Sequence, residues 1–440
     1  MQVAAFWFRR DLRLNDNAGL YHALKSAYPV LCFFIFDKII LDKLSNKSDS
    51  RVNFIFDQIN LLQKELQALG SSLIVGYGDP HDIWKDWLNK YSIREIYYNR
   101  DYESYALQRD LFINNLARSK NIQLYSFKDH VLFEKNELCK SDNSVYKVFT
   151  PFKNSCIKKL TEGNTSIQES SFLKPFPNEK YYSNFAKINK VIPLTLESIG
   201  FLKSNQYIPS TEVSKSIIKN YHNTRDYPYL NGTSKLGIHF RFGTISIREK
   251  ARNAFGLNTV YVNELLWRDF YSIILQAFPY VEKNAFKPNY DYIEWINDET
   301  QFAAWCNGAT GFPIVDAGMR ELNSTGYMHN RVRMIVASFL VKNLLIDWRW
   351  GEAYFAEKLL DFDLASNNGG WQWASGSGTD AAPYFRIFNP QSQQEKFDPE
   401  FKYIKKWVPE YGTDQYPKPI IDYKSTRERC LKAYSKALQR

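Results

Sequence analysis

The sequence predicts an α/β domain built on a doubly wound parallel sheet, followed by an all-α domain. Up to about residue 128, short apolar runs alternate with amphipathic stretches, whereas helical spacing of apolar residues dominates after residue 201. With 440 residues, the chain is also longer than one hydrophobic core usually supports. We therefore expect an α/β domain over residues 1–128, a connector over residues 129–200 and a helical domain over residues 201–440.

Five apolar runs predict the strands of the parallel sheet. They extend from Val3 to Phe8, Val30 to Phe36, Ser72 to Val75, Glu95 to Tyr98 and Ile122 to Tyr125. Residues 51–69 carry apolar residues at helical spacing, which completes a βαβ rhythm. No GxGxxG motif follows the first run, so the usual dinucleotide-binding fingerprint is missing, and a charged turn from Arg9 to Arg13 takes its place. The connector is rich in Lys, Asn, Ser and Pro with poor periodicity, which predicts a long surface segment.

Composition argues against membrane, disulfide and metal-site classes. Apolar residues make up 44% of the chain, but no apolar run is long enough to span a bilayer. The five cysteines are scattered and form no CxxC pair, which predicts neither a zinc site nor a disulfide framework. The N-terminus lacks the segments of an export signal. We expect a cytoplasmic monomer, associated with the nucleoid if the source is bacterial, with no metal and no membrane partner.

Charge and tryptophan content favour a particular kind of partner. The formal net charge of +10 suggests an anionic partner, because Lys and Arg that neutralise phosphates release counterions. Charge alone is a weak signal, since many basic proteins bind no nucleic acid. Tryptophan is more specific, because eight of the eleven lie at or after Trp267. Most of these rings will be core residues, but so uneven a distribution indicates a further role for the second half of the chain.

Two segments of the second half combine polar and aromatic groups suited to a ligand. The sequence GTSKLG, residues 232–237, places hydroxyl groups and backbone amides beside a helix start, which suits either a phosphate group or an ordinary helix cap. Further along, Glu264, Trp267, Arg268 and Tyr271 fall at positions i, i+3, i+4 and i+7 of a helix and share one face. That face is either solvated, with an internal ion pair, or the wall of a site for a planar ligand.

Two further segments contain residues that packing explains less well. Asn330 and Met334 lie one helical turn apart and could contact a flat ring, although a surface Asn and a core Met are the ordinary alternatives. The run from Leu360 to Trp373 places two consecutive glycines between an Asn pair and a Trp-Gln-Trp sequence. Such glycines weaken a helix, so we expect the backbone to approach a ligand closely there.

The sequence from residue 318 to residue 390 identifies a family resemblance. It contains GMRELNSTGYMHNRVRMIVASFLVKNLLIDWRWGE and DLASNNGGWQWASGSGTDAAPYFRIFNP. These motifs resemble the photolyase/cryptochrome family, most closely its class I cyclobutane pyrimidine dimer photolyases. The resemblance extends from FWFRRDLRLNDN through NELLWRDFY to the FNP segment and is weakest in the connector. It implies a C-terminal FAD-binding domain and deoxyribodipyrimidine photo-lyase activity on DNA that contains pyrimidine dimers, by electron transfer from light-excited reduced FAD to a flipped-out dimer.

The resemblance also implies roles for individual residues. The positions that match FAD contacts are Tyr221, Thr233, Ser234, Lys235, Leu236, Gly237, Tyr261, Arg333, Asp361, Asp363 and Asn367. Those that match the dimer pocket are Glu264, Trp267, Asn330, Met334 and Trp373. Those that match an electron-transfer chain, where core packing is the alternative, are Trp295, Trp348 and Trp371. Those that match DNA contacts are Arg225, Arg268, Arg331, Arg386 and Gln393.

Departures from the family pattern leave the second chromophore and the subtype open. Glu103 matches a folate-binding carboxylate in some relatives, but its neighbours do not, so the antenna is folate, deazaflavin, another flavin or none. Gly237 stands where many class I enzymes have Ser. A (6-4) photolyase would carry His at positions 330 and 334, and a DASH-type single-strand photolyase usually carries Tyr at position 373. A blue-light signalling cryptochrome, the remaining alternative, would typically extend further at its C-terminus.

Overall fold

A computed structural model describes residues 1–163, 167–188 and 194–439. These residues form two compact units that interleave along the chain. The first, here called the sheet unit, comprises Met1–Glu134, Lys158–Thr211 and Leu236–Phe255. The second, the helical unit, comprises Lys135–Ile157, Glu212–Lys235 and Gly256–Arg440. The division at residues 128 and 200 stays a prediction, and residues 164–166 and 189–193 of the predicted connector lie outside the described residues.

The sheet unit is built on a five-stranded parallel sheet, as the sequence predicts. Its strands are β1 (Gln2–Phe8), β2 (Val30–Asp37), β3 (Leu73–Gly78), β4 (Ser92–Asn99) and β5 (Gln123–Phe127). They are ordered β3-β2-β1-β4-β5, and every neighbouring pair is parallel. The first strand is therefore central, and the chain winds outward from it in both directions, which is the doubly wound arrangement.

Helices account for the remaining regular structure. The α-helices are α1 (Ala18–Leu24), α2 (Lys38–Leu41), α3 (Ser50–Ala68), α4 (Pro80–Lys90), α5 (Ser104–Ser119), α6 (Phe149–Thr161), α7 (Lys215–Lys219), α8 (Tyr221–Thr224), α9 (Gly237–Phe242), α10 (Ile247–Phe255), α11 (Thr259–Ala277), α12 (Glu299–Cys306), α13 (Pro313–Thr325), α14 (Asn330–Ser338), α15 (Trp348–Lys358), α16 (Leu364–Ser375), α17 (Pro390–Phe397), α18 (Lys402–Trp407) and α19 (Tyr423–Leu438). A π-helical segment, Phe339–Asn343, continues α14. Short 3₁₀ turns are Lys135–Glu137, Ile167–Glu169, Asn178–Asn184, Glu197–Ile199, Pro279–Glu282 and Pro288–Tyr292.

Burial on both faces of the sheet explains its nearly continuous apolar strands. Along β1, side chains alternate between two cores, so Phe6 and Phe8 pack in the cluster that contains Leu62 of α3. Trp7 points the other way, and its ring centroid lies 5.4 Å from that of Trp84 on α4. A strand covered by helices on both sides needs apolar residues at every position, which is the pattern of the sequence.

The helical unit has one large core in which the helices from α13 to α16 meet. Trp305, Trp348 and Trp371 are almost fully buried in this cluster. A glycine is required at position 351 of α15, because a Cβ atom there would lie 2.0 Å from the Trp371 ring. The predicted connector differs from expectation, since it contributes helix α6, whose Phe149 and Phe152 are buried.

Two further features are absent from the described residues. Among them, no helix combines the length and the apolar character needed to cross a membrane. Over the same ranges, no group of three or more His, Cys, Asp or Glu side chains is arranged to hold a metal ion.

A buried ion-pair network lies beneath the start of α1 in the sheet unit. The carboxylate of Asp129 is bonded to Arg13 at 2.7 Å and to Arg248 at 2.8 Å, and its side chain is fully buried. It also accepts a hydrogen bond from the Ala18 amide at 3.1 Å. Burial by itself would raise the pKa of Asp129, but the two guanidinium groups outweigh it and lower the pKa to about 2. The charged carboxylate is therefore the form that the fold requires.

We expect Asp129→Ala to lower the free energy of unfolding by about 3–5 kcal/mol, because two guanidinium groups would lose a buried partner. Urea denaturation of the sheet unit within the intact chain measures this. Asp82→Ala is the control, since Asp82 pairs with Lys85 on the surface with a side chain 73% exposed. Because the folded pKa lies below the roughly 3.9 of unfolded aspartate, the stabilisation should be complete above about pH 4 and lost as the pH falls toward 2. Equal losses in the two variants would contradict the assignment.

Candidate active site

A cavity of about 430 Å³ opens among the helices of the helical unit. This volume lies within the range of about 300–1,000 Å³ that is typical of small-molecule sites. Most of the residues singled out in the sequence line it. Those that do are Arg225, Glu264, Trp267, Arg268, Tyr271, Asn330, Arg331, Arg333, Met334, Asp361, Asp363, Asn367, Gly370, Trp371 and Trp373.

Helix α11 forms one wall of the cavity with a single face. Asn258 fixes the start of the helix, because its side-chain oxygen accepts hydrogen bonds from the amides of residues 260 and 261. From that start, Glu264, Trp267, Arg268 and Tyr271 all turn toward the cavity, as their spacing predicts. Their common orientation favours the ligand-wall interpretation of this face over the solvated one.

The carboxylate of Glu264 is engaged by an arginine from another segment. Arg225 Nη1 lies 2.5 Å from Glu264 Oε1, whereas the ordinary alternative for this face was an ion pair within α11. Burial raises the pKa of Glu264, and the nearby Arg225 offsets part of that rise. The ion pair thus holds the carboxylate in a fixed direction at the cavity wall. A buried carboxylate is costly unless it is hydrogen-bonded, so a ligand donor that reached Glu264 would be bound favourably.

Trp267 is held in place by a residue that the sequence did not single out. The Phe149 ring of α6 stacks on the Trp267 indole with centroids 3.7 Å apart and planes inclined by 9°. Phe149 is anchored in turn, because its amide donates to Asp380 Oδ2 at 3.0 Å. Its position in a segment of poor periodicity gave no signal of this role, although its spacing with Phe152 is helical.

Helix α14 forms a second wall. His329 begins the helix, and its Nδ1 atom accepts a hydrogen bond from the Arg331 amide at 3.2 Å. Burial lowers the pKa of His329 to about 4, so the ring is neutral and suited to this capping role. One turn apart, Asn330 and Met334 both line the cavity. A polar amide and a soft thioether are thereby presented together, as the sequence predicts.

An ion pair and an amide also line the cavity. Arg333 binds Asp361 through Nη2 at 2.9 and 3.1 Å and donates from Nε to the Met328 carbonyl at 2.7 Å. Asn367 donates from Nδ2 to the Glu352 carbonyl at 3.1 Å, which directs its amide group. Asp363 begins α16, since its Oδ1 accepts from the amide of residue 366 at 3.1 Å. These three acidic and amide side chains therefore have defined orientations before any ligand is bound.

Glu352 is a second partly buried acid at this site, and the sequence did not reveal it. Its carboxylate accepts a hydrogen bond from Asn368 at 3.1 Å, and its own backbone carbonyl holds Asn367. Burial raises the pKa of Glu352 to about 7. The acid therefore lies directly behind the amide that lines the cavity, and it changes charge near neutral pH.

The predicted phosphate-binding segment forms a hydroxyl cluster outside the cavity lining. Thr233 Oγ1 lies 3.1 Å from the Tyr327 hydroxyl, and the Tyr261 hydroxyl donates to Ser234 Oγ at 3.1 Å. Tyr221 packs edge-on against Tyr261 at 5.2 Å. Lys235 has a positive φ of 52° and its ammonium group lies 5.4 Å from the Tyr327 ring. Leu236 and Gly237 follow in the sheet unit at the start of α9.

Of the remaining predicted residues, only Trp371 lines the cavity. Trp348 is 1% exposed in the core, and the Trp295 ring lies 6.1 Å from that of Tyr434. Arg386 is exposed in the segment before α17, and Gln393 lies on α17 itself. The structure does not bring these last two into the cavity.

In the sheet unit, the carboxylate of Glu103 is already engaged by two arginines. It accepts from Arg10 at 3.0 Å and from Arg241 at 2.6 Å. Its role as a folate contact stays a prediction.

The two consecutive glycines of α16 face different surroundings. The helix continues through both glycines, from Leu364 to Ser375. A Cβ atom at position 369 would lie 2.1 Å from the Tyr271 ring, so Gly369 is required by packing rather than by a ligand. A Cβ atom at position 370 would meet no heavy atom within 4 Å, and Gly370 lines the cavity. The expected close approach to a ligand therefore concerns Gly370 alone.

Two families of sequences match separate parts of the chain. Residues 4–177 match the family described as "DNA photolyase". Residues 261–413 match the family described as "FAD binding domain of DNA photolyase". The second match contains helices α11 and α14 to α16, whose side chains line the cavity.

Curated relatives are similar over nearly their full lengths. A deoxyribodipyrimidine photo-lyase from Escherichia coli is 36% identical, with 99% of each chain covered. One from Halobacterium salinarum is 35% identical, with 98% of each chain covered.

Solved structures show the same architecture. A class III photolyase from Agrobacterium tumefaciens superposes with a TM-score of 0.86 at 31% identity, over 100% of this chain and 98% of that chain. A photolyase from Sulfolobus tokodaii, solved with two FAD molecules, gives 0.80 at 34% identity over 99% and 100%. A cryptochrome from Synechocystis gives 0.83 at 25% identity over 98% and 99%.

The two glycines provide a matched pair of variants. We expect Gly369→Ala to lower the free energy of unfolding by about 1–3 kcal/mol, because the methyl group overlaps the Tyr271 ring. Gly370→Ala adds the same methyl group in open space and should be neutral or stabilising by up to about 1 kcal/mol through helix propensity. Thermal unfolding of both proteins measures the difference. Equal midpoints would show that Tyr271 does not require a glycine.

Proposed function

The chain belongs to the DNA photolyase family, and on this premise we propose that it is a deoxyribodipyrimidine photo-lyase that repairs cyclobutane pyrimidine dimers in DNA with light. One observation carries the proposal. The cavity lining combines two chemically different sets of side chains, the first being Trp267, Trp373 and Glu264 and the second Arg333 and Asn367. The first set suits two fused pyrimidines, and the second suits the ring system of a flavin.

The residues around the cavity fit the FAD that the family's second domain binds. An arginine paired with a carboxylate, together with oriented amide groups, matches the hydrogen-bonding edge of a flavin ring. The hydroxyl groups of Thr233 and Ser234 are suited to the ribose and phosphate portion. FAD held by these residues would supply the light-driven one-electron chemistry that opens the cyclobutane ring. The protein's own part is to bind, orient and exclude water.

The dimer side of the cavity accounts for selectivity between lesion and normal DNA. A dimer within a duplex cannot reach a buried site, so it must be flipped out, at a cost that is smallest for a poorly stacked lesion. Trp267 and Trp373 provide apolar surfaces for the extruded bases, at roughly 1–3 kcal/mol per stacked base. Glu264 can accept hydrogen bonds from the imide groups of the pyrimidines. We place Asn330 and Met334 at the same surface.

Basic residues around the cavity are suited to the DNA backbone. Arg225, Arg268 and Arg331 line the cavity. Arg386 is exposed, and it lies close to Gln393 in the sequence. Guanidinium groups bind phosphates through paired hydrogen bonds and fix the register of a duplex without reading its sequence. DNA is therefore the proposed partner, with the protein acting as a cytoplasmic monomer.

Three tryptophans are proposed to reduce oxidised flavin through the protein. Trp371 lines the cavity, Trp348 lies in the core, and Trp295 is only partly buried. Indole rings lose an electron more readily than most side chains, so this series is proposed to carry an electron from the partly exposed Trp295 toward Trp371 at the cavity. All three rings also pack in or against the core of the helical unit.

The finer assignments remain part of this proposal. Repair of cyclobutane dimers as a class I enzyme is supported by Asn330, Met334 and Trp373, the positions at which other subtypes carry different residues. The division into an antenna-type domain, a connector and an FAD domain belongs to the same proposal. A second chromophore is supported only by the two FAD molecules in the relative from Sulfolobus tokodaii. A light-signalling function is the alternative, since a cryptochrome shares the architecture.

An absorption spectrum and a repair assay test the function directly. The purified protein should show flavin absorption and, once reduced, should restore ultraviolet-irradiated oligothymidylate under blue light but not in the dark. A protein that binds flavin without repair in the light would favour signalling. A protein that retains no flavin would contradict both functions.

Glu264→Gln should lower the yield of dimer splitting per absorbed photon by roughly tenfold, because a hydrogen bond to a charged group contributes about 1.5–3 kcal/mol, against about 0.5–1.5 kcal/mol for the neutral bond that glutamine would keep. Its affinity for dimer-containing DNA should fall less, since stacking and phosphate contacts remain. Quantum yield and dark binding are measured on the same preparation. The carboxylate has no direct part in repair if the variant splits dimers as efficiently as the original protein.

Trp295→Phe should block photoreduction of the oxidised flavin and leave repair by chemically reduced enzyme intact. Phenylalanine preserves the packing against Tyr434 but is much harder to oxidise than indole. The rate of flavin bleaching under blue light with an external thiol is the readout. Trp407→Phe is the control, because Trp407 lies on α18 and has no proposed role. Normal bleaching in Trp295→Phe would remove this residue from the chain.

A further inference from the structure

Asp226 has no role in the proposed repair reaction. It forms an ion pair with Arg331, one of the arginines proposed to bind DNA. Asp226 Oδ1 accepts hydrogen bonds from Arg331 Nη2 at 2.6 Å and from Arg331 Nε at 3.2 Å. The Asp226 side chain is 40% exposed and the Arg331 side chain is 19% exposed, so the pair is accessible to DNA. The Arg331 guanidinium also stacks over the Phe397 ring at 4.4 Å, which fixes its plane.

The pair uses the part of Arg331 that a phosphate would use. A guanidinium binds phosphate or carboxylate through two adjacent N–H groups, and the Nε and Nη2 groups of Arg331 both point at Asp226. The remaining Nη1 group faces the Met334 sulfur at 3.7 Å, toward the cavity. A phosphate that binds this edge of Arg331 must therefore displace the aspartate.

The neighbouring residue makes a contrasting pair. Arg225, directly before Asp226, binds Glu264 at the cavity wall. That pair orients a group proposed to contact the dimer, whereas the pair of Asp226 covers a group proposed to contact the backbone. One short segment therefore supplies a cation paired with a residue proposed to contact the dimer and an anion paired with a residue proposed to contact the backbone.

We propose that Asp226 is a selectivity residue that withholds Arg331 from undamaged DNA. This inference rests on the proposed function. Undamaged DNA contacts the protein through its phosphates alone. Without a dimer in the cavity, no phosphate is held beside Arg331, so the Asp226 carboxylate is not displaced. When a dimer enters the cavity, its stacking fixes the backbone beside Arg331, and the phosphate then replaces Asp226. Selectivity is a difference between two affinities, so a contact made only in the lesion complex increases it.

The salt dependence of binding tests this directly, because each phosphate neutralised in duplex DNA adds about 0.9 to the slope of log affinity against log salt. The holoenzyme is titrated in the dark with irradiated and unirradiated duplexes of the same sequence. For Asp226→Asn, the slope on undamaged DNA should steepen by about 0.9 and the affinity should rise about three- to fivefold. The slope on dimer-containing DNA should stay that of the original protein.

Two controls separate this effect from a general change in charge. Glu428→Gln alters the net charge equally at an exposed position of α19, outside the cavity lining, and should leave both slopes unchanged. In the Arg331→Gln background, adding Asp226→Asn should no longer steepen the slope on undamaged DNA, since coupled residues do not act additively.

The inference is overturned if Asp226→Asn leaves the slope on undamaged DNA unaltered, or alters it equally without Arg331. Failure of the proposed function has a different signature, because the original protein would then bind irradiated and unirradiated duplexes equally. The slope on undamaged DNA would still report whether Asp226 covers Arg331.

Discussion

The cavity depends on the way its surrounding helices begin. The core of a helical protein is normally filled by close-packed side chains. Space for a large ligand therefore requires that other contacts hold the helices in position. Here each of four cavity helices begins at a side chain that accepts amide hydrogen bonds. These are Asn258 for α11, His329 for α14, Asp347 for α15 and Asp363 for α16. Such caps contribute about 1 kcal/mol each and fix the start and rotation of a helix independently of the interior. Faces directed at the cavity can then carry polar groups.

Charged groups around the cavity follow one rule, which is that each is satisfied before a ligand arrives. Glu264 is paired with Arg225, and Arg333 is paired with Asp361. A charge in such a place would be costly without a partner, because desolvation removes the water that otherwise stabilises it. The pairs also fix direction, since bonded guanidinium and carboxylate groups rotate little. A preorganised polar surface of this kind needs little rearrangement when a substrate binds.

Local patterns predicted the sheet and one wall of the cavity, whereas most other site residues were implied by the family resemblance. Strands buried on two faces appear as apolar runs, and the shared face of Glu264 and Trp267 follows from helical spacing alone. The role of Phe149 was missed, although Phe149, Phe152 and Cys156 fall at helical spacing, because lysines and serines around them obscured the pattern. Contacts between distant segments had no sequence signal at all. The pairing of Arg225 with Glu264 and the overlap of Gly369 with Tyr271 depend on tertiary structure, so only coordinates reveal them.

The stack of Phe149 on Trp267 has a consequence for engineering. Phe149, which supports this indole, belongs to the segment Lys135–Ile157 of the helical unit. In the sequence this segment lies far from the rest of that unit. A chimera that takes its first half from one relative and its second half from another would join an indole to a foreign supporting ring. A recombination point should therefore fall before Lys147, whose carbonyl accepts a hydrogen bond from Thr379, so that ring and indole are inherited together.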